Sequence, residues 1–263
     1  MTDRSIIYYT DNVLDEARPE LAAQVRDRLV DSSGGLPIIC VSQKPLKFGD
    51  TTICVGEIGR SVLSLYKQIS IGLSAAHTDI VFMAENDCLY TPEHFLLEPG
   101  PKGLAYNHNI RWAWLKKPGR RSKDVFCVPP RTRPTLSQLV ASRQVLRLAI
   151  DERIKLLEAG VPWDVFVGGG SMYEPGGNET VFYKRAIDAC AELKISTTNL
   201  LSTIRPQSDK RYTLVPNIDI LHGGNFSGMR KHLRSSKTHV YSLEGWGSLS
   251  ESLSGQSAAL GSF

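Results

Sequence analysis

The stretch Asp79-Ile-Val-Phe-Met-Ala-Glu-Asn-Asp87 joins an apolar run to an acidic end. The apolar residues 80–84 include β-branched and aromatic side chains, which predicts a buried strand. Glu85-Asn86-Asp87 follows at once, and Thr91-Pro92 comes soon after. Carboxylates one residue apart at a strand end are typical of a divalent-cation site, but the same residue types also form ordinary turns. The pair alone does not separate these two interpretations.

The chain before this stretch predicts alternating strands and helices. The predicted elements are strands over residues 5–9, 37–41 and 52–55 and helices over residues 14–30 and 61–75. This order favours right-handed crossovers and a mostly parallel α/β sheet. Ligands of such sheets bind beyond the carboxyl ends of the strands. We therefore expect the polar residues at 10–12, 42–44 and 85–87 to line one crevice.

The pattern changes after residue 100. The predicted elements are short strands over residues 104–107 and 111–115, helices over 136–157 and 179–193, and a strand over 217–221. Glycine- and proline-rich sequence separates the two helices, and the chain becomes rich in Ser and Gly from residue 242. The composition of this last segment predicts a loose tail.

Composition and cysteine usage are those of a globular protein with an ordinary core. Of the 263 residues, 41% are hydrophobic and 22% are charged, so one sizeable domain is expected. No apolar run is long enough to span a bilayer, and the N-terminal run lacks the basic n-region of a secretory signal. The five cysteines show neither zinc-finger nor redox spacing, which predicts reduced thiols. We therefore expect a cytoplasmic protein without a membrane partner.

Positive charge is concentrated in two segments. Residues 111–133 contain eight Lys and Arg side chains against one Asp, and residues 205–237 contain seven against two Asp. The net charge of the whole chain is only +4, so the remainder is acidic. Two basic segments on an acidic body favour an anionic partner, although charge runs are commonly solvated loops.

Residues 80–95, Ile-Val-Phe-Met-Ala-Glu-Asn-Asp-Cys-Leu-Tyr-Thr-Pro-Glu-His-Phe, resemble the signature of GT-A glycosyltransferases. The shared features are an apolar strand, an acidic motif of the Asp-x-Asp type, and a proline-containing turn before a short helix. As a fold pattern, the resemblance covers about the first hundred residues. It implies a GT-A fold, which is a Rossmann-like, mostly parallel α/β sheet with a C-terminal acceptor-side region.

The resemblance also implies a chemistry. GT-A enzymes transfer a sugar from a nucleotide-sugar, with a UDP-sugar as the expected donor, and commonly use Mn²⁺ or Mg²⁺. This chain has Glu85 where the family pattern has Asp. Asp87 is therefore the implied metal ligand and catalytic acidic residue, and Glu85 is assigned to donor binding. Thr10, Asp11 and Asn12 are expected to hold the nucleoside of the donor.

The same resemblance divides the chain into two halves of one domain and a tail. Residues 1–106 are the nucleotide-sugar-binding half, residues 107–241 are the acceptor-binding and catalytic half, and residues 242–263 are a flexible tail. Arg60 precedes the second predicted helix, where a guanidinium can bind donor phosphate. Its neighbours Gly59 and Ser61 also fit a simple helix cap, so both interpretations stay open.

Ile218-Asp-Ile-Leu-His-Gly-Gly-Asn-Phe-Ser227 is a second motif. Many GT-A enzymes supply a late His to the metal, followed by a loop that closes on the diphosphate, which implies His222 as a metal ligand. Asn225 and Ser227 offer hydrogen-bond donors and are the implied donor-phosphate contacts. A lone His is more commonly a core residue, but the Gly-Gly-Asn turn that follows favours the ligand.

The Gly-rich stretch 163–179 contains the candidate base. Inverting GT-A enzymes place an Asp or Glu near the acceptor to take the hydroxyl proton, and apolar surroundings raise the pKa of such a carboxyl. Glu174 is the expected catalytic base, with Glu179 and Asp164 as alternatives. Glu179 also fits the first turn of a helix. An enzyme that retains configuration needs no such base.

Tyr106-Asn-His-Asn-Ile-Arg-Trp-Ala-Trp114 is similar to a run found in uncharacterised phage and bacterial GT-A-like transferases. Asn amides and indole faces suit sugars, while aromatic rings also stack on bases. One of the two Trp residues fits a core or edge-strand position equally well. The expected acceptor contacts are Asn107, Asn109, Trp112, Trp114, Arg120 and Arg121.

Together these features predict a metal-dependent glycosyltransferase that acts on a hydroxyl acceptor. The basic segments favour double-stranded DNA, with a hydroxymethylated pyrimidine base as the acceptor, as in phage DNA hypermodification in the cytoplasm of a bacterial host. The alternatives are a capsule or lipopolysaccharide glycan as acceptor, a GT-A-like nucleotidyltransferase, and a non-catalytic nucleic-acid-binding protein. A nucleotidyltransferase would normally carry a Gly-rich Lys/Arg signature after its first strand, which Tyr9-Thr-Asp-Asn-Val13 lacks.

Overall fold

The computed structural model describes residues 3–114, 125–127, 135–162, 180–197, 200–204, 206–221 and 242–254. The strands are β1 (Arg4–Thr10), β2 (Ile38–Ser42), β3 (Thr51–Cys54), β4 (Ile80–Glu85), β5 (Cys88–Leu89), β6 (Leu104–Asn107), β7 (Ile110–Trp114), β8 (Val125–Cys127), β9 (Leu139–Ser142), β10 (Asp209–Arg211) and β11 (Asn217–Leu221). The α-helices are α1 (Val13–Ala17), α2 (Pro19–Ser32), α3 (Val62–Ala75), α4 (Arg143–Glu158), α5 (Thr180–Glu192), α6 (Leu200–Ile204) and α7 (Leu249–Ser254). Short 3-10 helices cover Pro92–Leu96 and Leu136–Gln138.

A seven-stranded sheet has the strand order β10-β6-β9-β4-β1-β2-β3. β1 pairs in parallel with β2 and β4, β2 pairs in parallel with β3, and β6 pairs in parallel with β10. Within this sheet β9 is the strand that runs antiparallel, between β4 and β6. The other six strands therefore end at the same edge. This mostly parallel α/β arrangement confirms the predicted fold class.

The central strand β1 is buried on both faces. Ile7 and Tyr9 pack in the cluster formed with α3 and α4, whereas Ile6 and Tyr8 pack in the cluster that includes α2. This double burial is typical of a parallel strand covered by helices, and each fully buried Ile contributes about 1.5–3 kcal/mol. Gly72 lets α3 lie close to β1, because a Cβ at that position would come within 2.5 Å of Ile7 Cγ2.

A second sheet has the strand order β5-β11-β7-β8. β7 and β11 are parallel, and the outer strands β5 and β8 run antiparallel to them. One face packs Leu89 and Ile220 against α1, α2 and Trp246. Because side chains alternate along a strand, Asp219 belongs to the opposite face, where Trp112 is its register partner. The second sheet thus brings a late carboxylate alongside an aromatic residue.

The helix predicted over residues 14–30 is wrong, because the chain forms two helices there. Pro19 occupies the first turn of α2, and Arg18 before it has a φ of −150° and a ψ of 69°. A proline restricts the preceding residue away from helical angles, so α1 ends at Ala17.

The helix predicted over residues 136–157 is also wrong in its first part. Residues 139–142 form β9, and α4 begins only at Arg143. Leu139, Val140 and Ala141 are fully buried in the gap between β4 and β6. Pairing on both sides of this segment overrides a sequence that would otherwise continue the helix.

The tail differs from the expectation as far as residue 254. Trp246 is only 2% exposed and donates its Nε1–H to Pro216 O at 2.7 Å. Leu249, at the start of α7, packs in the same apolar cluster as Leu21 and Val25 of α2. A few large apolar side chains therefore fold a segment whose overall composition is rich in Ser and Gly.

In the described part of the chain, none of the helices is both long and apolar enough to cross a bilayer.

Candidate functional site

The polar residues after β1, β2 and β4 meet at one edge of the sheet, as predicted. Asn86 Nδ2 donates to Thr10 Oγ1 at 2.9 Å, and Lys44 N donates to Asn12 Oδ1 at 2.8 Å. The Tyr9 hydroxyl donates to the carboxylate of Glu85 across the β1–β4 pair. These contacts follow directly from the parallel register, in which Tyr9 lies opposite Glu85.

Thr10 and Asn12 stabilise the loop that follows β1. Both side chains are buried, and Thr10 Oγ1 also accepts from Asn12 N at 2.9 Å. Asn12 adopts a left-handed conformation with a φ of 64°, which turns the chain sharply into α1. Their part in donor binding stays a prediction, and their observed hydrogen bonds hold the loop in place.

Asp11 and Arg60 form an ion pair at the same edge. Arg60 Nε lies 2.6 Å from Asp11 Oδ2, and the side chains are 59% and 25% exposed. Ser61 Oγ accepts from Ser64 N at 3.0 Å, so Ser61 caps α3 while the guanidinium of Arg60 turns towards β1. The cap interpretation is therefore confirmed for Ser61, while donor-phosphate binding by Arg60 stays a prediction.

The loop between β3 and α3 lies over the edge beside that ion pair. Gln43 Nε2 donates to Gly59 O at 2.7 Å, and Ser64 Oγ donates to Ile58 O at 2.8 Å. Lys44 forms ion pairs with Glu16 and, at 3.5 Å, with Glu57. The loops after β1, β2 and β3 are thus joined by hydrogen bonds and by exposed ion pairs.

Three carboxylates meet where β4 ends. Glu85 and Asp87 come from the predicted motif, and Asp219 comes from β11, which lies against β5 with Asp219 opposite Cys88. Ile220 N donates to Asp87 O at 2.7 Å, which fixes the two chain segments together. Burial raises the pKa of Asp219 well above its ordinary value, and the negative charges of Asp87 and Glu85 raise it further.

Asp219 is the functional candidate that the sequence analysis missed. It lies in the quoted Ile218–Ser227 motif, and the available signal was an acidic residue between two apolar strand positions. Its proximity to Asp87 depends on β11 joining the second sheet, which no local pattern specifies.

Buried polar contacts hold the carboxylates in position. Asn217 Nδ2 donates to Gln138 Oε1 at 2.7 Å, and Asn217 Oδ1 accepts from Thr91 N at 3.0 Å. Gln138 Nε2 in turn donates to Cys88 Sγ at 3.3 Å. Tyr90 is buried, and its hydroxyl accepts from Glu85 N at 3.0 Å. The backbone on either side of Asp87 is therefore fixed.

The chemistry of these side chains fits a hard divalent cation. Mg²⁺ in proteins is usually held by one or two carboxylates together with substrate phosphates, and Asp87 and Asp219 supply such a pair. Among the described residues, no three His, Cys, Asp or Glu side chains form a ready metal-binding group. Asp87 and Asp219 could hold such an ion only together with further ligands, such as substrate oxygens.

The predicted acceptor contacts Asn107 and Asn109 bind the protein itself. Asn107 is 2% exposed, and its Nδ2 donates to Thr213 Oγ1 at 3.1 Å. Asn109 Nδ2 donates to Thr213 O at 2.8 Å. Both amides hold the loop between β10 and β11. Trp112 is partly exposed and lies beside Asp219, which keeps it as a candidate for acceptor contact.

Several predicted site residues lie outside the described part of the chain and stay predictions. For Trp114 the backbone of β7 is described but the side chain is not. The residues outside are Glu174 with its alternatives Asp164 and Glu179, His222, Asn225, Ser227, Arg120 and Arg121.

The comparisons with known proteins find similarity in structure alone. No family model matches the sequence, and no curated protein matches it. The chain is similar to the apo form of the glycosyltransferase GlyE of Streptococcus pneumoniae TIGR4, with 14% identity over 80% of this chain and 45% of that chain and a TM-score of 0.41. It therefore spans less than half of the length of GlyE.

Two further similar structures cover more of their own length. A glycosyltransferase involved in glycosylation of the major capsid of PBCV-1 shows 8% identity over 88% of this chain and 98% of that chain, with a TM-score of 0.40. Drosophila β-1,4-galactosyltransferase 7, in complex with manganese, UDP-Gal and xylobiose, shows 14% identity over 90% and 75%, with a TM-score of 0.37. A cytidylyltransferase is also among the similar structures. Glycosyltransferases and a cytidylyltransferase are thus among the solved structures to which this chain is similar, while the fold class itself rests on the strand order.

Proposed function

We propose that the chain is a metal-dependent glycosyltransferase that moves a sugar from a nucleotide-sugar to a hydroxyl acceptor. The observation that carries the proposal is the meeting of Glu85, Asp87 and Asp219 at the carboxyl edge of the sheet. Burial is the main cause of the raised pKa of Asp219, and repulsion by the negative charges of Asp87 and Glu85 raises it further. A divalent cation would relieve that repulsion, and carboxylate oxygens are its preferred ligands.

In this proposal separate residues bind the metal, contact the donor and act as the base. Asp87 and Asp219 would hold the ion, with His222 as the further ligand expected from the sequence. A bound Mn²⁺ or Mg²⁺ supplies Lewis acidity that neutralises the nucleoside diphosphate as it leaves. Tyr9 orients Glu85, which stays the expected donor contact. Glu174 stays the expected base.

Asp11 and Arg60 form the nucleotide end of the proposed site. A guanidinium binds phosphate oxygens with the same geometry as carboxylate oxygens. Because their ion pair is exposed, Arg60 can exchange Asp11 for a phosphate of the donor at little cost. Asp11 is then released to accept hydrogen bonds from the nucleoside. A UDP-sugar is the donor that we propose.

The proposed acceptor is a glycan hydroxyl, and a hydroxymethylated DNA base is the competing candidate. The DNA candidate rests on the two basic segments, of which residues 115–124 and 128–134 lie outside the described chain. In the second segment Arg211 donates to Glu98 O at 3.2 Å and lies 3.9 Å from Asp209. Arg211 is therefore engaged by the protein, whereas Lys210 beside it is exposed.

Donor hydrolysis tests the activity. The assay incubates the full chain with UDP-, GDP- and TDP-sugars, with and without Mn²⁺, and measures release of the nucleoside diphosphate. We expect metal-dependent release that is lost in Asp87→Asn and kept in Asp79→Asn, which changes an exposed acid before the opposite end of β4. The proposal fails if no donor is turned over or bound in the presence of metal. Pyrophosphate release from a nucleoside triphosphate would instead identify a nucleotidyltransferase.

Salt dependence of duplex binding tests the competing acceptor. A DNA-modifying enzyme binds duplex with an affinity that falls steeply as salt rises. Fluorescence anisotropy with a labelled duplex between low and physiological salt measures this slope. A steep slope would favour the DNA base, whereas flat and weak binding would remove it.

A further inference from the structure

The loop that joins β10 to β11, residues 212–216, presents an exposed aromatic ring. Tyr212 is 64% exposed and its neighbour Leu214 is 77% exposed. The ring of Tyr212 lies against the ring of His108, with 5.7 Å between centroids and 38° between planes. Single exposed apolar side chains are common on protein surfaces, so exposure alone identifies no function.

The backbone around Tyr212 is fixed, which distinguishes it from an ordinary surface loop. The hydrogen bonds run from His108 N to Arg211 O at 2.8 Å, from Thr213 N to Asn107 Oδ1 at 3.2 Å, and from Leu214 N to Glu93 Oε2 at 2.7 Å. Asn107 itself is buried, and both its Nδ2 and its Oδ1 form hydrogen bonds with Thr213 of this loop. A buried amide used to hold an exposed ring indicates that the position of the ring matters, because fixed side chains lose less entropy on binding.

The ring of Tyr212 lies at the same edge of the seven-stranded sheet as the end of β4. β10 is parallel to β6, so Tyr212 follows a strand that ends at the same edge as β4. Two strands separate β10 from β4, which places their axes about 14 Å apart. The same loop leads directly into β11 and Asp219. An acceptor of two or three sugar rings would therefore reach from Tyr212 to the carboxylates.

We propose that Tyr212, backed by His108, is a platform on which a pyranose ring of the acceptor stacks. The inference rests on the proposed function and adds the acceptor subsite to it. An aromatic face packs well against the C–H face of a pyranose, while the hydroxyls at the rim of the sugar stay in contact with water and polar groups. Asn107 and Asn109 are positioning residues in this arrangement, because they hold the loop rather than the sugar.

The charges near the platform favour a neutral glycan over a nucleic acid. Arg211, which precedes Tyr212 in the chain, lies 3.9 Å from Asp209 and donates to Glu98 O. Glu93 adds a carboxylate directly beside Leu214. A DNA backbone needs cations that can neutralise phosphates, and these carboxylates lower the positive charge on this surface.

Saturation-transfer difference NMR on the full chain with Mg²⁺ tests the platform. The probes are lactose, maltose and cellobiose, with 5-hydroxymethyldeoxycytidine as the competing ligand. We expect saturation of the C–H protons of at least one disaccharide, about tenfold weaker binding in Tyr212→Ala, and recovery in Tyr212→Trp. Leu96→Ala is the matched control, because Leu96 is 73% exposed and lies near Arg4, at the opposite edge of the sheet.

The outcomes separate this inference from the proposed function. Disaccharide binding that is absent in the wild type, or equal in wild type and Tyr212→Ala, overturns the platform, even if metal-dependent donor turnover is intact. Preferential binding of the nucleoside at Tyr212 also overturns it and indicates base stacking. Disaccharide binding that depends on Tyr212, in a chain that turns over no donor, would leave the platform standing and remove the transferase.

Discussion

The two ends of the functional edge are held by different forces. We call the loops after β1, β2 and β3 the donor side, and the loops after β6 and β10 the acceptor side. On the donor side exposed ion pairs, as between Asp11 and Arg60 or Lys44 and Glu57, add to hydrogen bonds such as that from Lys44 N to Asn12 Oδ1. On the acceptor side they are joined by amide hydrogen bonds, as between the buried Asn107 and Thr213.

This difference predicts two kinds of binding. Exposed ion pairs contribute only about 0–1 kcal/mol, so a charged ligand can replace one partner easily. Breaking a buried hydrogen bond of a side-chain amide leaves donors or acceptors unsatisfied, at a cost of about 1–3 kcal/mol. The donor side is therefore suited to exchange its own charges for a diphosphate, and the acceptor side is suited to present a fixed surface.

The largest expected effect is at the junction of the two sides. Asp87→Asn should lower kcat/KM on the order of 10³-fold, because it removes a charged oxygen ligand of the proposed ion. Asp219→Asn should lower activity similarly, yet it removes a carboxylate repelled by its neighbours. We therefore expect the metal-free Asp219→Asn protein to melt at a higher temperature than the wild type. Thermal melts with and without Mg²⁺ measure this, and Mg²⁺ should raise the Tm of the wild type only.

The Asp79→Asn protein is the control for this pair. A loss of activity in Asp79→Asn equal to that in Asp87→Asn would show that removing any carboxylate next to β4 lowers activity. Full activity in Asp219→Asn would remove Asp219 from the site.

Acid should weaken the protein through a buried histidine that packs beside β4. His94 is fully buried among Phe82, Tyr90 and Phe95. Among the described residues neither of its ring nitrogens has a hydrogen-bond partner, and burial lowers its pKa to about 3. The unfolded chain takes up a proton at this His below about pH 6.5, whereas the folded chain does not until about pH 3. Stability is therefore fully present above pH 6.5 and falls by about 1.4 kcal/mol per pH unit as the pH drops.

Urea denaturation between pH 4 and pH 7 measures this slope. His94→Phe keeps an aromatic ring in the cluster and should flatten it, while the exposed His77 changed to Gln should leave it as in the wild type. An unchanged slope in His94→Phe would assign the acid sensitivity to other groups.

Asn107→Ala should loosen the acceptor side without touching the donor side. The variant loses a bond to Thr213 Oγ1 and leaves the backbone N–H groups of Asn109 and Thr213 without their acceptor. We expect a loss of about 2 kcal/mol in the free energy of unfolding and weaker disaccharide binding. Donor KM measured in the same protein should stay at the wild-type value, and a change in donor KM would contradict the separation of the two sides.

Arg60→Ala should give the smallest change in stability. Its ion pair is exposed, so the free energy of unfolding should move by less than about 0.5 kcal/mol. Donor KM should rise roughly tenfold, because the guanidinium is the proposed phosphate contact. Steady-state kinetics with a UDP-sugar checks this, and Arg147→Ala, whose i,i+4 pair with Asp151 lies on α4, is the control. Equal KM values in the two variants would remove Arg60 from the donor site.

The sequence predicted the donor side well, because that side is built from local patterns. Apolar runs that end in polar residues define β1, β2 and β4, and right-handed crossovers then place their ends together. The meeting of residues 10–12, 42–44 and 85–87 is confirmed for this reason. Pro19 is also a local signal for the break between α1 and α2, but the apolar spacing that continues through it favours a single helix.

The acceptor side was less predictable, because its contacts join distant segments. Residues 139–142 have no local reason to leave the helix, and only the gap between β4 and β6 makes them a strand. Asn107 and Asn109 were expected to meet a ligand, but the partner that satisfies them is a loop about a hundred residues later. Tyr212 and Asp219 matter for the same reason, since their neighbours are defined by sheet pairing.

Strand β9 also determines the order in which the protein can fold. Residues 80–82 pair with residues 140–142, about sixty positions later, and β6 is attached to the rest of the sheet only through β9. Closing so long a loop is slow compared with forming the crossovers among β1, β2, β3 and β4. We expect a chain emerging from the ribosome to complete its nucleotide end first and to gain its acceptor end when β9 docks. Pulsed hydrogen exchange during refolding would detect this as early protection of β1 and β4 amides and late protection of β6, whereas simultaneous protection would show that the sheet closes in one step.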